Sequence, residues 1–98
     1  MPLNPNLALH IDRLLDDAVQ RLMCERYALW SACLESAHLF SLSEYEILTL
    51  TLENRLPDAD TAKRLGLNVN TVVSRRRRAI LRLLLQLLAD TLEVKEAA

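Results

Sequence analysis

Residues 58–82 read DADTAKRLGLNVNTVVSRRRRAILR and hold the chain's only glycine, Gly66, together with most of its positive charge. Lys63, Arg64, Arg75, Arg76, Arg77, Arg78 and Arg82 stand between Thr61 and Arg82, and no acid interrupts them. The pattern predicts a short helix from Asp58 to Leu65 that ends at Gly66, because glycine takes the left-handed conformation after a helix without a Cβ penalty. A second helix then begins near Asn68 or Asn70, either of which can cap its free N–H groups. Two helices crossing over so short a turn need a small residue where their backbones meet, and Ala62 lies four positions before the glycine. Val72, six positions after it, is the expected core anchor of the second helix.

This helix-turn-helix pattern resembles the one shared by LuxR-type regulators and region four of bacterial sigma factors. Leu56, Ala62, Leu65, Gly66, Leu67, Thr71 and Val72 match that pattern, and Asn68 stands where a capping serine is usual. Downstream, Ser74, Arg75, Arg78, Ala79 and Leu83 are closer to the sigma version, and the resemblance covers residues 42–88. The chain departs from it at three places. Asn54 and Arg55 lie where a glycine normally precedes the first helix, Thr61 replaces an isoleucine, and Arg76 replaces an apolar core residue. No ligand-binding or phosphoreceiver segment is recognisable at the amino terminus, so no such switch is carried over.

The resemblance implies a helix-turn-helix, and with the helical apolar spacing of the first forty residues and the lack of glycine or proline after Gly66 the expectation is an all-α domain with a long N-terminal helix and an extended C-terminal recognition helix. Residues 1–40 are read as a helical segment for dimerisation and support. Residues 41–98 carry the helix-turn-helix and a leucine-rich last helix, and the whole is one compact domain, as its 98 residues allow. An apolar share of 51% with one glycine and three prolines fits an ordered helical chain. Net charge is only −1, which hides an asymmetry: residues 1–40 carry five acids and three bases, whereas the stretch from Thr61 to Arg82 is wholly basic.

Cys24 and Cys33 are the only cysteines. Nine positions apart on one helix, they point to opposite faces and cannot bridge each other. Free thiols fit a cytoplasmic location. No His/Cys group has metal-ligand spacing, His10 and His38 read as ordinary histidines, and no metal or cofactor is expected. The start lacks the basic and long apolar regions of a signal peptide. Ile80 to Leu88 is broken by Arg82 and Gln86 and is far shorter than a membrane span.

Along the chain, Met1 to Pro5 is expected to be a loose arm, with Asn6 available as a helix cap. From Leu7 the apolar positions Leu7, Ile11, Leu14, Leu15, Ala18, Leu22, Leu29, Ala32 and Cys33 follow helical spacing. They predict one helix to about His38, or two with a bend between Cys24 and Arg26, with Tyr27 and Trp30 as hydrophobic anchors. Ser43 and Glu46 form a predicted capping box for a helix over 44–53 whose core face is Ile47, Leu48 and Leu50. The recognition helix is expected to run unbroken from Asn70 to about Glu93. One side of its leucines should pack on Ile47, Leu48, Leu65 and Val72, and the other needs a partner.

These features together lead to a sequence-specific DNA-binding transcriptional regulator acting as a homodimer, and to no enzyme. Asn70, Thr71, Ser74, Arg75 and Arg78 are the expected base-reading residues, since arginine pairs with guanine and asparagine with adenine in the major groove. Lys63, Arg64, Arg76 and Arg77 are expected on phosphates. Ile11, Leu15, Leu22, Leu84 and Leu88 are the expected dimer contacts, and a two-fold axis would set two recognition helices about 34 Å apart. The alternative is a protein-interaction module of the same fold that binds another regulator or RNA polymerase without binding DNA.

Overall fold

In the computed structural model, residues 4–97 and the side chains of residues 4–92 are described. Among them there are five α-helices and no strand: α1 Pro5–Cys24, α2 Arg26–Glu35, α3 Leu42–Leu48, α4 Asp58–Leu65 and α5 Val69–Ala97. A 3-10 turn, Ala37–Leu39, joins α2 to α3, and a π-helical turn, Thr49–Glu53, continues α3. No helix among the described residues is long and apolar enough to cross a membrane.

The first helix starts earlier than the loose arm expected for Met1 to Pro5, of which residues 1–3 lie outside the described residues. Asn4, not Asn6, is the cap: its side-chain carbonyl accepts from the Asn6 N–H at 2.8 Å, and Pro5 occupies the first helical position. The break that the sequence allowed between Cys24 and Arg26 falls at Glu25, whose φ of −96° and ψ of 53° are not helical. α2 then stops at Glu35, short of His38. Of the expected apolar stripe of α1, Leu7, Ile11 and Leu14 are exposed. Val19, which was outside that stripe, is the only buried residue of α1, and Leu22 and Met23 pack beside it. Tyr27 is not an anchor, being 87% exposed, because α2 turns Leu29 and Cys33 inward and leaves Tyr27 on the other side. Trp30 does pack on the core, with its ring 6.0 Å from that of Tyr45.

The capping box of α3 lies two residues before the expected Ser43–Glu46 pair. Ser41 has the extended backbone of a cap, its Oγ accepts from the Glu44 N–H at 3.2 Å, and Glu44 Oε1 accepts from the Ser41 N–H at 2.8 Å. Ser43 is already inside the helix. After Leu48 the ladder widens, and the N–H of Asn54 bonds back five residues to the carbonyl of Thr49. The cause is local, since the Thr49 and Thr51 hydroxyls each donate at 2.8 Å to the carbonyl four residues earlier and compete for those acceptors. The wider turn brings Thr51 and Leu52 into the core and leaves Leu50, an expected core residue, only half-buried.

Two groups of buried side chains result. The larger unites Val19, Leu29, Cys33, Leu48, Leu52, Ala79, Ile80 and Leu83; the smaller unites Ile47, Ala62 and Val72, flanked by Leu65 and Leu67. Val72 and Ala62 therefore meet as the spacing about Gly66 requires. Of the expected partners of the apolar side of α5, Leu48 shares a cluster with Ile80 and Leu83, and with Leu52, while Ile47 and Leu65 group with Val72 instead. Burial pushes the Cys33 thiol up to about 11, and Cys24 is exposed; both cysteines are free. Thr61, standing where isoleucine is usual in the resembled pattern, is fully buried and its hydroxyl has no hydrogen-bond partner among the described residues.

Candidate nucleic-acid interface

The turn between α4 and α5 follows from three side chains. Gly66 adopts φ 68° and ψ 34°, and the Leu67 N–H reaches back to the Ala62 carbonyl at 2.8 Å, closing the end of α4. A Cβ on Gly66 would meet nothing within 4 Å, so the backbone angle, not lack of room, selects glycine there. Asn68 then accepts the Asn70 N–H on its side-chain carbonyl at 2.8 Å. With that work done by Asn68, the Asn70 side chain remains on the surface. At the other end of α4, Arg55 takes a left-handed φ of 57°, in the neighbourhood where the resembled pattern has a glycine.

Rotation of about 100° per residue sends four consecutive arginines to four sides of α5. Each meets different surroundings. Arg75 donates from Nη1 to Ser43 Oγ at 2.9 Å, across to the first turn of α3. Arg76 lies on the core side, only 11% exposed, and makes a two-pronged pair with Asp58 at the start of α4, the Nη2–Oδ2 arm being 3.0 Å. Arg77 Nε reaches Asp16 of α1 at 2.6 Å, an open surface pair. Arg78 points outward, exposed, with no hydrogen bond or ion pair among the described residues, and the same holds for Lys63 and Arg64.

One turn further, Arg82 Nη1 donates to Glu44 Oε1 at 2.8 Å and to the Leu39 carbonyl at 2.9 Å. Glu44 is buried and joins the α3 cap to α5 through a single oxygen. Its burial raises the carboxyl pKa, but hydrogen bonds from Arg82 and from the Ser41 backbone outweigh this and hold it below the usual carboxylate value. Asp58 is likewise held low, chiefly by the hydrogen bonds from Arg76. Glu44 in turn raises the Arg82 pKa.

The expected base-reading residues are thus partly brought together. Asn70, Ser74 and Arg78 are exposed along one side of α5, Thr71 is half-buried at its margin, and Arg75 is turned to Ser43. Of the expected phosphate contacts, Lys63 and Arg64 are open, Arg77 shares Asp16, and Arg76 is occupied. Arg76 was legible as a departure from the apolar pattern; its partner Asp58, 18 positions earlier, had no signal beyond being an acid at a helix start. Of the expected dimer contacts, only Ile11 and Leu88 are exposed; Leu15, Leu22 and Leu84 are half-buried. From Leu85 to Leu92 every residue of α5 is exposed. Set against protein-family models, curated proteins and solved structures, the chain matches none of them.

Proposed function

We propose that this chain is a helix-turn-helix protein that binds duplex DNA in a sequence-dependent way and acts as a dimeric transcriptional regulator. The observation that carries the reading is the group Asn70, Ser74 and Arg78, exposed together on the first turns of α5 just after the left-handed Gly66. Lys63 and Arg64 lie open on the neighbouring helix. In a major groove, Arg78 would pair with guanine O6 and N7 and Asn70 with adenine N6 and N7, each discriminating by about 1–3 kcal/mol. Lys63 and Arg64 would take phosphates, joined by Arg77 once a phosphate displaces Asp16. Arg76 and Arg82 would keep α5 fixed on the body, and Arg75 would steady the start of α3. The exposed apolar residues of α1 and α5 supply the surface for a second copy.

The test is fluorescence anisotropy on labelled random-sequence duplex at two salt concentrations, with Arg78→Ala and Asn70→Ala beside the unaltered protein. Salt-weakened binding that Arg78→Ala lowers about tenfold or more, with the helical circular dichroism unchanged, is expected. Equal binding by Arg78→Ala would remove this surface from the reading.

A protein-binding role has one observation in its favour. Arg76, Arg77 and Arg82 are already paired with acids of the same chain, so less of the basic stretch is open to phosphate than its sequence suggests. A stable complex with another regulator or RNA polymerase, and no salt-sensitive binding to duplex, would establish that reading instead.

A further inference from the structure

Where α2 packs against the π-helical turn Thr49–Glu53, a hollow of about 330 Å³ remains. Arg26, Tyr27 and Trp30 line it from α2. Trp30 stands four residues after Arg26 and three after Tyr27, so it neighbours both on the surface of that helix. Leu52, Glu53 and Arg55 line the hollow from the turn and the residues just after it. Leu52 is buried, and Trp30 is half-buried, held by the core and by the Tyr45 ring at 6.0 Å. An apolar and aromatic bed is therefore already fixed in place, which lowers the ordering cost of anything that lies on it.

The two arginines of the hollow hold nothing in the chain itself. Neither Arg26 nor Arg55 makes a side-chain hydrogen bond or an ion pair among the described residues, not even with Glu53 between them on the rim, whereas Arg75, Arg76, Arg77 and Arg82 each find a partner. Arg55 also stands at a left-handed φ of 57°, where the Leu56 N–H bonds back to the Leu50 carbonyl at 2.9 Å and closes the turn. Glycine takes that angle freely and arginine only at a cost in stability. A guanidinium kept there at a cost, without a bond inside the chain and beside a second one in the same state, points to something outside the chain that both can hold.

We propose that this hollow binds a one- or two-ring aromatic monocarboxylate, its carboxylate held by the Arg26 and Arg55 guanidinium groups and its ring laid on Trp30. Arginine presents a planar fork that meets a carboxylate with two parallel N–H···O bonds. Trp30 and Leu52 give the ring its bed, and Tyr27, 87% exposed, can turn over the other face. Size and charge narrow the class. About 330 Å³ is at the lower end for small-molecule sites, which selects a ligand of one or two rings. Two arginines and one glutamate leave one net positive charge, which suits a carboxylate and disfavours a phosphate monoester of about −1.5 to −2. The site uses none of Asn70, Ser74 and Arg78, so it stands independently of the DNA reading.

Titration of the isotope-labelled protein with 4-hydroxybenzoate, followed by NMR, tests this, because Trp30 is the only tryptophan and its indole N–H gives a single signal. The expected result is a saturable shift of that signal and of the Tyr27 amide, with a Kd on the order of 1 mM or tighter. The neutral 4-hydroxybenzamide keeps the ring without the charge and should bind about tenfold or more weakly, and phenyl phosphate should bind no tighter than the carboxylate. Arg55→Gly removes one guanidinium while glycine suits the left-handed angle, so thermal stability should hold or rise as affinity for 4-hydroxybenzoate falls about tenfold. Arg26→Gln should lower affinity likewise and repeats the test without touching that backbone angle. No saturable shift at about 10 mM probe, or equal binding by the amide or by both folded variants, overturns the site. Tighter binding of phenyl phosphate overturns the carboxylate class. Shifts produced by single-stranded oligothymidylate and not by 4-hydroxybenzoate overturn the small ligand in favour of a strand stacked on Tyr27 and Trp30.

Discussion

Between Val69 and Leu84, α5 buries Val72, Ala79, Ile80 and Leu83, and its arginines reach α1, α3 and α4; from Leu85 to Leu92 the same helix buries nothing. The second half is no less apolar than the first. What differs is what lies opposite: the first half meets Leu48, Leu52, Val19 and Leu29, whereas in the second only Leu87 still borders the body, beside Leu22, Ala28 and Ala32. Hydrophobicity alone therefore does not make a core position. A helix that is apolar on several sides needs several neighbours, and this chain provides them for one half only.

Paired truncations should divide the two halves most sharply. Ile80 is completely buried, so Ile80→Ala removes methyl groups from a packed site and should cost about 2–5 kcal/mol. Leu88→Ala, at an exposed position, should change the stability of the isolated chain by less than about 0.5 kcal/mol. Thermal unfolding followed by circular dichroism, at a protein concentration low enough to keep the chain monomeric, measures both. Comparable losses would mean that the end of α5 is covered even in the monomer.

The polar ties of the first half give a smaller effect with a pH signature. Asp58→Asn leaves the Arg76 guanidinium, which is mostly buried, without its anion and should cost about 1–2 kcal/mol, less than for a fully buried pair because the Asp58 carboxylate is partly open to water. Asp58 and Glu44 both have carboxyl pKa values below their ordinary ones, so in the unfolded chain they take up protons first as pH falls. Their contribution is complete above the ordinary carboxylate range and disappears as pH drops through the lowered folded values. A melting temperature that falls below about pH 4.5 in the unaltered protein, and falls less in a double Asp58→Asn, Glu44→Gln variant, is the expected pattern. Parallel acid curves for the two proteins would assign the acid sensitivity to other carboxylates.

Much of the break between α4 and α5 was legible because one residue type answers one local need: Gly66 for a left-handed angle, Asn68 for a cap, Ala62 and Val72 for close approach. The arginine run was less so. Spacing shows that four arginines must diverge, but not that Arg76 would find Asp58 or that Arg77 would find Asp16, because both partners come from distant helices. In α1, helical periodicity identified an apolar stripe without revealing that only the turn around Val19 lies against the body. The left-handed Arg55 was visible as a missing glycine, although nothing in the sequence says that arginine would accept that angle.

The smallest effect concerns the start of α3, where two serines compete for one role. Both Ser41 and Ser43 are followed three positions later by a glutamate, so local sequence satisfies a capping box twice. The decision is made from outside the helix. Glu44 sits where Arg82 of α5 can reach its Oε1 atom, and the same oxygen accepts the Ser41 N–H, so packing against α5 fixes the earlier start. Ser41→Ala should accordingly cost about 1 kcal/mol, as the loss of a helix cap does. Ser43→Ala forfeits only the contact with Arg75, on a partly exposed surface, and should cost a few tenths. Arg82→Met separates the two causes: with α5 no longer holding Glu44, the penalty of Ser41→Ala should shrink in a double-mutant cycle. If it does not, the cap is set by the local sequence of α3, and the reach of α5 ends at the core.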